Sequence, residues 1–78
     1  MNSYLMHGEY GIHQKQFAND TEAFEHANGY SDEGTVPVER LINGVWCQCS
    51  CPIYTPQFYY GSKNGGWISS GKLVQEFD

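Results

Sequence analysis

The four residues Ile42-Asn43-Gly44-Val45 constrain this chain more than any other stretch. Asn-Gly between β-prone segments is the strongest short-range hairpin signal, because a type I′ turn needs positive φ at both central residues. The turn sets a register. Ile42 faces Val45, Arg40 faces Cys47, Val38 faces Cys49 and Val36 faces Cys51. Strand side chains alternate, so one hairpin face reads Val36, Val38, Ile42, Val45, Cys47, Cys49, Cys51. That is a core face, with Arg40 its one exception. The other face reads Pro37, Glu39, Leu41, Trp46, Gln48, Ser50.

The hairpin sits in a chain of 78 residues, which is one domain, 1–78. A chain this short buries only roughly 60% of its unfolded surface. It has little room for an enclosed pocket of the ~300–1,000 Å³ that small-molecule sites use, so binding is expected rather than catalysis. Six Tyr, four Phe and two Trp are enough apolar surface to fold. No apolar run approaches the ~18 residues of a membrane-spanning helix. The start, Met1 to His7, has no basic n-region and no long apolar stretch. The expected location is the cytoplasm. An odd cysteine count, three, agrees, since secreted domains of this size carry even disulfide frameworks.

Glycines punctuate the rest. Residues 3–7 read as a strand. Gly8-Glu9-Tyr10-Gly11 either turns the chain, with Ile12 to Phe17 returning, or marks a bulge in one long strand. A helix over 20–28 follows. Asn19 is its N-cap, Glu22 completes a capping box and Gly29 is a natural stop. Ala23, Phe24 and Ala27 share the face that packs on a sheet, and Glu22, Glu25 and His26 point the other way. After the hairpin, Pro52 and Pro56 interrupt pairing and Phe58-Tyr59-Tyr60 reads as a strand. Gly61 to Gly66 is a loop, Trp67-Ile68-Ser69 returns, Ser70-Gly71 turns and Leu73 to Phe77 closes. The expected fold class is α+β: a small antiparallel sheet of about four to five strands with one short helix on one face.

Cys47-Gln48-Cys49-Ser50-Cys51 invites a metal or thiol reading. Residues two apart in a strand lie ~6.6–6.8 Å apart. Two thiolates on one zinc, each ~2.3 Å from the metal, must lie within about 4 Å of each other. The strand spacing is also too long for a disulfide. The cysteines are therefore expected to be small core residues, with a metal- or thiol-dependent role as the alternative. No metal and no cofactor is expected. His7, His13 and His26 form no ligand pattern, and His26, four residues after Glu22, reads as half of a solvated pair. Gly61 to Gly66 lacks the order of a phosphate loop and the helix that should follow it. Tyr54, Phe58, Tyr59, Tyr60 and Trp67 could form a stacking platform, although a small core needs many of them.

Charge is unevenly spread. The net charge is −5, and Asp20, Glu22, Glu25, Asp32, Glu33 and Glu39 fall in a stretch without Lys or Arg. From Arg40 to Gln75 there is no acid. Direct nucleic-acid binding needs a basic patch and is not expected. A basic partner is the natural complement. The acids Asp20, Glu22, Glu25, Asp32 and Glu33 are candidate partner-binding residues, imitating the charge of nucleic acid toward a Lys/Arg groove. The alternative is a surface that serves only solubility. Leu41 and Trp46, on the hairpin face without cysteines, are candidates for an apolar anchor, provided that the helix covers the other face.

The short helix ending near Ala27, the run Gly34-Thr35-Val36, Glu39 and the run Ile42-Asn43-Gly44-Val45-Trp46 resemble some small phage-encoded anti-CRISPR proteins of type I systems. The opening Met1-Asn2-Ser3-Tyr4-Leu5 is of the same kind. The likeness spans residues 20–46 and the start. The cysteine strand and the Tyr-rich C-terminal third have no counterpart in it. The resemblance implies a non-enzymatic inhibitor that docks on a Cas surveillance complex, a host nucleoprotein, and blocks DNA. It would act in the host cell cytoplasm as a monomer or small homo-oligomer. The alternative is a generic phage or host interaction or structural module.

Overall fold

The computed structural model describes residues 1–30, 36–50 and 65–78. The fold is a small α+β fold, one helix on an antiparallel sheet. The strands are β1 (Asn2–Gly8), β2 (Gly11–Phe17), β3 (Val38–Ile42), β4 (Val45–Cys49), β5 (Gly66–Ser69) and β6 (Lys72–Glu76). The helix α1 spans Asp20–Ala27. Among the described residues the sheet has six strands in the order β2-β1-β3-β4-β5-β6, one more than the upper expectation. Gly8 to Gly11 is a hairpin turn, with Gly8 opposite Gly11, and not a bulge in one long strand. Its positive φ falls on Gly11, at 127°.

The helix starts as its sequence requires. Asn19 is extended and its side chain accepts from the Glu22 amide at 2.9 Å. Glu22 reaches back and accepts from the Ala18 amide at 3.2 Å, one residue beyond the cap itself. The other end differs from expectation. Asn28 caps in right-handed geometry and the chain tightens into a single 3-10 turn, Asn28–Tyr30. Gly29 therefore does not serve as a left-handed stop. Tightening the last turn is the other common way to satisfy orphan carbonyls.

Two turns make the meander. Asn43 and Gly44 have φ of 51° and 79°, and Ser70 and Gly71 have 53° and 79°. Both pairs have the positive φ values of a type I′ turn. Ile42 faces Val45 and Arg40 faces Cys47, as the turn dictates. The proposed Val36–Cys51 pairing and the Phe58-Tyr59-Tyr60 strand lie outside the described residues. Gly66 opens β5 rather than closing a loop. A Cβ there would collide with the Gln75 carbonyl oxygen and sit 2.7 Å from Leu73 Cδ1 and 2.9 Å from Glu76 Cα.

The core lies between α1 and the sheet. Tyr4, Met6, Ala23, Phe24, Ala27, Val36, Val38, Cys47, Cys49 and Trp67 are buried. Phe24 stacks on Trp67 with centroids 5.6 Å apart and planes 9° apart. Phe77 meets both edge-on, at 5.4 and 5.7 Å. Such ring pairs add ~0.5–1.5 kcal/mol beyond their buried area. Trp67 is thus a core residue and not part of a stacking platform; Tyr54, Phe58, Tyr59 and Tyr60 lie outside the described residues.

Candidate interaction surface

Cross-strand partners share a face, so the register sorts every strand residue. On the helix side stand Tyr4 with Lys15 and Arg40, Arg40 with Cys47, Cys49 with Trp67, and Ser69 with Lys72. On the far side stand Leu5 with Gln14 and Glu39, His7 with Ile12, Leu41 with Trp46, Gln48 with Ile68, and Gly66 with Glu76. Lys15, Arg40 and Lys72, the described Lys and Arg residues, all belong to the helix side. The far side holds Glu39 and Glu76 with no described Lys or Arg.

The helix covers the cysteine face, the condition on which an exposed Leu41–Trp46 pair rested. Leu41 and Trp46 are direct cross-strand partners and both are half-buried. Leu5 and Ile68 are also half-buried on this face, and Ile12 is exposed. Ser3, Gln14, Gln16 and Gln48 border them with neutral polar groups. An apolar centre with a polar rim is the ordinary anatomy of a protein interface.

The acids divide differently from expectation. Asp20 is fully buried and contributes nothing to an outward acidic surface. Its Oδ1 accepts from Tyr4 at 2.5 Å and from Arg40 Nη1 at 3.0 Å. Its Oδ2 accepts from Trp67 Nε1 at 2.8 Å and from the Asp78 amide at 3.0 Å. Asp78 completes the cluster by accepting from the Asp20 amide at 2.5 Å and from Arg40 Nη1 at 3.0 Å. With its amide oxygen turned to Arg40, Gln75 accepts from Nη2 and Nη1 at 3.1 and 3.2 Å. Arg40 is therefore no misfit on the core face. It is the counter-ion of a buried carboxylate.

Burial pushes the Asp20 carboxyl above its ordinary range, against the hydrogen bonds from Tyr4 and Trp67. Burial, with the Asp20 hydrogen bond, also pushes the Tyr4 hydroxyl far up, so it stays protonated. Glu22 and Glu25 are exposed on the helix, on the opposite side of the sheet from Leu41 and Trp46. One flat partner surface reaches one pair or the other. Asp32 and Glu33 lie outside the described residues. The His26 ring packs beside Phe17 with centroids 5.1 Å apart. Its pKa is lowered, first by burial and then by the charges of Lys15 and His13.

Sequence reasoning missed one feature of the far face. His7 Nε2 lies 2.7 Å from Glu39 Oε2. The pair stands at a cleft of about 360 Å³ lined by His7, Pro37, Val38, Glu39, Gln48 and Cys49. It is a half-open cleft and not the enclosed pocket for which a chain of this size was expected to have little room. Alternation along the hairpin already put Glu39 and Gln48 beside Leu41 and Trp46. His7 joins them only because β1 pairs with β3.

No protein family, curated protein or solved structure was found to match this chain.

Cys47 and Cys49 are buried on the core side; Cys51 lies outside the described residues. Among the described residues no three His, Cys, Asp or Glu side chains group as metal ligands. Nor is any described helix long and apolar enough to cross a membrane.

Proposed function

We propose that this protein is a non-enzymatic binding protein that seats a basic protein surface on the far face of its sheet. Leu41 and Trp46 are the apolar anchor, and the net charge of −5 draws the partner in. The observation that carries this reading is the sorting of charge by register. The far face sets Glu39 beside the half-buried Leu5, carries Glu76 opposite Gly66, and has no described Lys or Arg. A partner rich in Lys and Arg meets no like charge there. The DNA-handling surface of a type I CRISPR surveillance complex is the partner that the sequence resemblance implies, and occupying it would block DNA. Glu22 and Glu25 act in this reading through long-range attraction, since they face away from the anchor.

The test is a kinetic binding experiment with a purified type I surveillance complex on the sensor. Association should be fast at low salt and slow as the Debye length shrinks from ~10 Å at 0.1 M to ~3 Å at 1 M. Trp46→Ala should mainly speed dissociation. Bound protein should exclude target DNA. No binding to the complex would remove that partner. Unchanged dissociation of Trp46→Ala would remove the far face as the docking surface.

A further inference from the structure

We infer that the cleft at His7, Glu39 and Gln48 is a subsite for an arginine side chain of the basic partner. This deepens the reading above and rests on it. Glu39 and Gln48 are direct cross-strand partners, so their side chains rise next to each other from the same face. The His7 ring takes one carboxylate oxygen of Glu39, and no described residue donates to the second. Glu39 and Gln48 both line one cleft, so its wall offers a carboxylate and a side-chain amide from adjacent strands.

The chemistry selects a cation. An anionic ligand would meet the Glu39 carboxylate with no described Lys or Arg to hold it. A metal ion would find one carboxylate and no ligand cluster among the described residues. A guanidinium fits better. Its planar fork carries five donors and can bond two acceptors at once, whereas an ammonium is a compact, strongly hydrated point charge. Pro37 offers an apolar wall for the aliphatic stem. Glu39 is also only partly exposed, and a carboxylate set into a low-dielectric cleft holds a cation more strongly than one in open water.

The cleft is also built and well placed. The His7 amide donates to the Pro37 carbonyl at 3.0 Å, which ties the end of β1 to the start of β3 and fixes the wall. Trp46 stands two residues before Gln48 on β4 and so on the same face. An arginine in the cleft would lie next to the apolar anchor, and one partner segment could fill both.

Titrating the isotope-labelled protein with N-acetyl-arginine methylamide, and separately with the lysine analogue at equal ionic strength, tests the inference by NMR. The arginine probe should give saturable shifts at His7, Glu39 and Gln48, and the lysine probe should bind several-fold more weakly. Glu39→Gln should weaken arginine binding about tenfold, the loss of one charge-assisted hydrogen bond. A double Glu22→Gln, Glu25→Gln variant, which weakens only the long-range field, should keep its saturable shifts at His7, Glu39 and Gln48. Spectra of each variant without ligand report whether the fold is intact. Shifts that follow Glu22 and Glu25, or none that saturate at the cleft, overturn the subsite. Equal binding of both probes overturns the choice of guanidinium. Arginine binding in the cleft, with surveillance-complex binding indifferent to Trp46→Ala, would leave the subsite standing and remove the far-face reading. The reverse pair of results would remove the subsite alone.

Discussion

Arg40 donates from Nη1 to Asp20 Oδ1 at 3.0 Å, joining the middle of the sheet to the first turn of the helix, and both side chains are buried. Removing one partner of such a pair leaves a desolvated charge, which costs about 3–5 kcal/mol. Arg40→Met should therefore lower the melting midpoint by at least ~12 °C, at ~4–8 °C per kcal/mol for a domain this size. Asp20→Leu combined with Arg40→Met should recover part of the loss, because no buried charge then lacks its partner. Calorimetry of the three proteins checks this. A double variant that melts below both singles would mean that the pair is not the centre of the network.

The same cluster sets the pH dependence of stability. Burial pushes the Asp78 carboxyl up, but its hydrogen bonds with Asp20 and the positive charge of Arg40 outweigh this and hold it below the usual carboxylate range. Its stabilisation is fully present above the unfolded value, ~3.9, and is lost as pH falls through the lower folded value. Asp20 has the opposite sign. Burial raises it, so its contribution is present below the unfolded value and declines as pH rises toward the folded one. Urea midpoints across the acid range should show Asp78→Asn flattening the lower limb and Asp20→Asn flattening the upper one. Interchanged effects would show that the proton sits on the other carboxyl.

Among the described turn residues, Ser70 is at odds with its own conformation. It holds φ of 53° in a position that Asn fills in the matching turn at Asn43. Asn tolerates the left-handed region better than Ser does. Ser70→Asn should raise the melting midpoint, and Gly71→Val and Gly44→Val should each lower it by roughly 4–8 °C or more, corresponding to ~1 kcal/mol or above. Equal midpoints for parent and Ser70→Asn would mean that the turn carries no strain.

Cys47 and Cys49 are 1% and 6% exposed among the core side chains, so a thiol reagent reaches them only when the fold opens. Labelling followed by peptide mass spectrometry should find both slow in native buffer and fast in denaturant. Rapid native labelling at either would contradict their burial.

Whatever depends on a few consecutive residues was legible in the sequence. Asn43-Gly44 sets its register because the φ values it needs are local, and that register carried Leu41 and Trp46 to one face and Cys47 and Cys49 to the other. Asn19 and Glu22 marked the start of the helix for the same reason, since a cap satisfies amides only a few residues away. Tertiary structure decided the fate of the charges. Asp20 looked like an ordinary first-turn acid on a solvated helix, and helix periodicity alone does not show what lies under that turn. Its partners Tyr4, Arg40, Trp67 and Asp78 come from four distant places in the chain, and only the packed sheet brings them to one carboxylate. The same pairing of β1 with β3 brought His7 to Glu39. Placing the helix on the cysteine face then set Glu22 and Glu25 apart from Leu41 and Trp46. Local chemistry specifies which way a side chain points along its own element; which charges are buried, paired or left facing a partner depends on contacts that no short window of sequence contains.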